Sequence, residues 1–167
     1  DFVVNKTVIN PDYRNNRVEI AKIEATIDSV KNDEDMTITA VTIKGFASPE
    51  GSYENNERLA KGRTAALKEY VEKLYNFDEN LIATSYEPED WAGLRAYVAA
   101  SDIVEKENIL QLIDSSREPD NKEWTLKSTF IAAYDNLYKN CYPALRRSDY
   151  KVEYTIRLYN DIEEIKR

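Results

Sequence analysis

The 167-residue chain carries 23 Lys and Arg against 31 Asp and Glu, a net charge of −8 with its cations scattered, so nucleic acid and anionic membranes are poor partners. It has no His, which excludes His-based metal sites and His-dependent catalytic triads, and its single Cys141 cannot form an internal disulfide. No stretch approaches the ~18 apolar residues of a membrane span, and the length suits one domain that buries roughly two thirds of its unfolded surface.

The chain begins at Asp1 without an initiator Met or a signal segment, which predicts a mature or truncated product of a longer protein. Phe2, Val3 and Val4 open with a short apolar run, and Pro11-Asp12 is a helix-entry signal. Val18, Ile20, Ala21, Ile23, Ile27 and Val30 share a helical face, predicting a first helix from Tyr13 to Val30. Asn32 to Asp35 reads as a solvated acidic turn.

Met36 to Phe46, rich in Thr, Val and Ile, predicts a strand. Its apolar phase switches between Ile38 and Ala40 on one parity and Val41 and Ile43 on the other. Burial on both faces or a bulge would account for the switch, and a central strand buried on both faces is the simpler account. The loop Ala47 to Gly51 follows, with Pro49 and Gly51 setting the turn and Ser52 placed to cap a helix running to about Tyr75. On that helix Arg63 shares the face of Leu59, Ala66 and Leu67. A guanidinium in an apolar stripe either lays its methylenes on the core and reaches water, or is paired, or points into a cleft that binds an anion.

Leu81 to Tyr86 predicts a further strand, after which the pattern turns helical from Pro88 to Asn140. Three helices are expected, around Trp91 to Val98, Ile109 to Ile113 and Phe130 to Tyr138, with a polar loop Ser115 to Asn121 containing Pro119. Trp91 and Trp124 are expected to anchor the core of this helical region. Tyr150 to Tyr159 alternates Val152, Tyr154, Ile156 and Leu158 with polar residues, the pattern of a half-buried last strand, and Asp161 to Arg167 is a charged tail.

The run Gly45 to Thr64, GFASPEGSYENNERLAKGRT, resembles the OmpA-like peptidoglycan-associating family, whose members carry G-x-T-D-x-x-G, then N, L-S and R-A. Gly45, Gly51, Asn56, Leu59 and Arg63 fall at the family's spacing. Phe2 to Asp12 is similar to the family's first strand and helix entry, and Asp149 to Tyr154 to its closing strand. The segment from Glu87 to Arg147 has no counterpart in the short enterobacterial form. Its Glu87 to Leu94 stretch, EPEDWAGL, looks like elaborated OmpA-like domains of Bacteroidetes envelope proteins.

The resemblance implies an α+β fold: a two-layer α/β sandwich with a mixed sheet, in the order β-α-β-α-β, a helical insertion at about 87–147, and a final β. The whole of 1–167 would be one OmpA-like domain, the C-terminal part of a longer secreted protein. Family members grip the diaminopimelate of the peptidoglycan stem peptide between the Asp of T-D, which takes the ammonium, and the Arg of R-A, which takes a carboxylate. Arg63 matches that Arg, while Ser48 stands where the Asp belongs and brings no charge. Glu50 could supply the missing carboxylate or be an ordinary exposed loop acid. Gly51 serves backbone geometry, and Asn56 either fixes the loop or sits in the first helical turn.

Three functions follow as expectations. The first is a non-catalytic domain, without cofactor or metal, that binds diaminopimelate-containing peptidoglycan through Arg63, Ser48, Glu50, Asn56 and Gly51. It would anchor an outer-membrane or surface protein to the wall from the periplasm, with other envelope proteins as further partners. The second is a degenerate domain of the same type acting as a protein-interaction or assembly module, its working surface the added helices. The third, an enzyme with a carboxylate pair such as Glu50 with Glu87 or Glu89, has no spacing that singles the pair out.

Overall fold

A computed structural model describes residues 1–157 of the chain; Leu158, Tyr159 and the charged tail Asp161 to Arg167 lie outside the described residues. Among the described residues the fold is α+β, with seven helices and a three-stranded sheet. Helix α1 (Asn16–Lys31) leads to β1 (Met36–Phe46), α2 (Tyr53–Leu74) and, after a 3-10 turn, β2 (Ile82–Glu87). Then come α3 (Trp91–Ala100), α4 (Lys106–Asp114), α5 (Pro119–Thr129), α6 (Ile131–Asn140) and the short α7 (Tyr142–Leu145), before β3 (Ser148–Ile156) closes the sheet. None of the described helices is long and apolar enough to cross a membrane.

The sheet order is β2-β1-β3, with β1 parallel to β2 and antiparallel to β3, so the sheet is mixed as expected. The phase switch in β1 has a different cause from the one expected. The register with β3 shifts between Ile38 and Ala40, so Thr39 bulges and returns Ile38, Val41 and Ile43 to one buried face. Thr37, Thr39 and Thr42 face water. β1 is central in the sheet yet buried on one face only.

The expected first strand does not form, which corrects the β-α-β-α-β order. Phe2 donates its backbone N–H to the carbonyl of Arg146 at 2.6 Å, but Asn5 sits at φ 56 and turns the chain out of any extended ladder. Arg14, at φ 50, likewise delays α1 until Asn16. Ser52 does cap α2, accepting from the Asn55 N–H at 3.2 Å. At the far end, β3 begins at Ser148 and is an edge strand, with a neighbour on one side only. Its inward residues are half-buried as far as Val152, whereas Tyr154 and Ile156 are exposed.

Two large cores hold the described residues, with a small third cluster of Ala47, Leu59 and Ala60 between β1's exit and α2. Ile23, Ile27 and Val30 of α1, with Leu67 and Val71 of α2, pack on Val41 and Ile43 of β1. A second core belongs wholly to the insertion, where Leu94, Val98, Ile109, Leu126, Leu137 and Tyr142 are completely buried. Five helices build it instead of three. Pro119 is the reason the expected loop ends early: at the first helical position its missing N–H costs no bond. Trp91 packs against this core as expected, but Trp124 is 67% exposed and anchors nothing.

Gly45 fixes how closely α2 approaches the sheet. A Cβ there would lie 2.2 Å from Thr64 Oγ1 and 2.5 Å from the carbonyl oxygen of Ala60, and a backbone atom cannot swing aside. Gly45→Ala is expected to destabilise the domain by about 2 kcal/mol, seen as a lower urea midpoint; an unchanged midpoint would show that α2 can lift off the sheet without cost.

Candidate functional site

The carboxyl ends of the parallel strands β1 and β2 lie side by side, where open α/β sheets ordinarily bind ligands. The Ala47–Ser52 loop leaves β1 there, and the insertion leaves β2 there. Asp90 ties the two exits, its N–H bonding to the Ala47 carbonyl at 2.9 Å. Its carboxylate caps α3 through the Gly93 N–H at 3.0 Å and takes Arg147 Nη1 at 2.6 Å.

Arg63 is 1% exposed, so it does not reach water. Its guanidinium donates to three carbonyls: Nε to Lys6 at 3.0 Å, Nη1 to Phe46 at 3.1 Å and Nη2 to Val3 at 3.4 Å. The Phe2 ring lies 5.4 Å from its Cζ. Burial, then the charge of Arg146, pull its pKa down to about 10 against the opposing pull of Glu50, so it stays charged at neutral pH. No carboxylate hydrogen-bonds to it among the described residues.

Ser48 and Glu50 gather around a different cation. Arg146, 4% exposed, directs Nε to Ser48 Oγ at 3.1 Å and to Glu50 Oε1 at 3.0 Å. Its Nη2 also lies 2.9 Å from Glu50 Oε1, off the hydrogen-bonding line. The Tyr138 ring stands 5.5 Å from the Arg146 Cζ. Glu50 is therefore a half-covered ion-pair partner rather than a free loop acid. Gly51 adopts φ +80, a left-handed turn that lets the chain swing from Glu50 to the cap Ser52.

Asn56 belongs to a third group. Its Nδ2 donates to Glu89 Oε2 at 2.6 Å, and Trp91 Nε1 donates to Glu89 Oε1 at 3.0 Å. Glu89 is 4% exposed, and burial pushes its pKa up to about 7 despite those two bonds; Asp120 and Glu123 push the same way. Glu123, also buried, accepts from Tyr134 at 2.6 Å and Tyr142 at 2.9 Å. Glu87 faces Lys44 at 3.6 Å on the surface.

The structure thus brings Ser48 and Glu50 together, but around Arg146; Arg63 and Asn56 each serve other partners. Sequence reasoning missed Arg146. Its one signal was an Arg-Arg pair directly before the closing strand, at the point where the insertion must return to the sheet. A cleft of about 760 Å³ lies elsewhere, between α1, the N-terminal segment and β3, and none of the five predicted residues lines it. No protein-family model and no curated protein matches this sequence.

Proposed function

We propose that the domain is a non-catalytic module of a cell-envelope protein that works through protein contacts, with an OmpA-like ligand clamp filled from within. The observation that carries this reading is the position of Arg146. Its Nε occupies Ser48 and Glu50 together, the acceptors that a ligand ammonium would otherwise use. Backbone carbonyls take three of the five N–H donors of Arg63, so a ligand carboxylate would have to compete with them for the guanidinium fork.

Sedimentation with purified sacculi tests it. The wild type is expected to stay in the supernatant, and so is Ser48→Asp alone, because the new carboxylate would pair with Arg146. Combining Ser48→Asp with Arg146→Gln empties the ammonium half and is expected to give binding.

A second reading, attachment to the peptidoglycan stem peptide from the periplasm or outer-membrane surface, has one observation in its favour. Arg63 and Arg146 are both buried, yet a single carboxylate, Glu50, pairs with Arg146 and none bonds to Arg63 among the described residues, so an incoming carboxylate would find uncompensated positive charge. Sedimentation of the wild type would overturn the first reading, and its loss in an Arg63→Ala variant whose circular dichroism shows it folded would establish the second.

A further inference from the structure

The loop joining α3 to α4 lifts Val104 almost wholly into water, at 99% exposed. With Tyr97, Ile103, Ala132 and Ala133 it lines a groove of about 550 Å³ between that loop and α6. Ile131, one residue before that lining, is 70% exposed. The loop is held in shape: Ser101 Oγ donates to the Val98 carbonyl at 2.7 Å, the Lys106 N–H bonds to the Ile103 carbonyl at 3.1 Å, and Ile103 packs on the insertion core. An apolar tip on an ordered loop binds with little further loss of conformational freedom.

Charge selects the occupant. The charged residues lining the groove are Asp102 and Glu105, both acids. A second copy of this chain, at net charge −8, or an anionic bilayer would be repelled. We propose that this groove docks an apolar segment flanked by Lys or Arg on another envelope protein, the apolar side chains entering the groove and the cations meeting Asp102 and Glu105. The inference rests on the interaction-module reading and names the partner chemistry for it.

A short acetylated peptide of alternating Leu and Lys, titrated into the isotope-labelled chain and followed by amide chemical shifts, tests the groove. Shifts are expected to cluster at residues 97–105 and 132–136. Affinity should fall about tenfold on Val104→Ser, which leaves the fold intact because the side chain is already in water, and should fall again as salt is raised. A Leu and Glu peptide should not bind.

Shifts spread over the acidic surface, or unchanged affinity in Val104→Ser, would overturn the proposal. So would concentration-dependent self-association abolished by Val104→Ser, or binding of phosphatidylcholine vesicles in place of the peptide. Failure here with wild-type protein that ignores sacculi removes the groove alone; failure with wild-type protein that sediments with sacculi removes the interaction-module reading as well.

Discussion

Replacing Arg63 with Met is expected to cost about 3–5 kcal/mol of unfolding free energy. Two effects oppose each other. Met relieves the desolvation that lowers the guanidinium pKa to about 10, but it takes the Arg63 donors from the carbonyls of Lys6 and Phe46, leaves Val3 with the Lys6 N–H alone, and removes the cation from the Phe2 ring. A buried carbonyl left unbonded costs about 1–3 kcal/mol, so the loss outweighs the relief. Lys offers no rescue, since one ammonium on a flexible stem cannot serve three acceptors spread along a planar fork. Urea denaturation checks the result. A change below about 0.5 kcal/mol would mean that Arg63 holds nothing together and is free for a ligand.

Stability is also expected to rise as the solution is acidified from neutral pH toward the ordinary carboxylate range, with Glu89 as the main source. Its folded pKa of about 7 stands above the ordinary value of 4.5, so the folded state binds the proton more tightly. The penalty for burying the carboxylate is fully present above about 7, shrinks as pH falls, and is gone below the unfolded value. Over that window it amounts to about 3 kcal/mol. Glu123, pushed the same way by burial, adds to the slope. Glu89→Gln should flatten the pH dependence while losing one bond, because its single carbonyl oxygen cannot accept from both Asn56 and Trp91. Denaturation midpoints across the window decide it; a slope of equal size in Glu89→Gln would move the origin to another group.

The secondary structure was largely legible where periodicity and chemistry agreed. The β1 and α2 boundaries and the Ser52 cap follow from local pattern, whereas the mixed sheet was implied by the family resemblance. The errors share a physical origin in tertiary context. Thr39 bulges because register is set by pairing with β3, far away in sequence. Trp124 was assigned to the core on size, yet its helix α5 buries Glu123 and Leu126 instead, the acid held by two tyrosine hydroxyls. The candidate site divides the same way. Spacing located Ser48, Glu50, Asn56 and Arg63, but not their partners, because Arg146 reaches Glu50 only after the insertion has folded back.

That return has a consequence for how the chain folds. Gly45 pairs with Ser148 across roughly a hundred residues, a slow closure for an unstructured chain. The insertion, with its own core of short-range helix contacts, can collapse first and carry its two ends together. Halving the effective loop lowers the closure cost by only about 0.6 kcal/mol, so the gain is small in equilibrium terms. It lies in connectivity: the Arg146–Glu50 pair sits where the insertion meets the sheet, so it can close only once the insertion has brought β3 back beside β1.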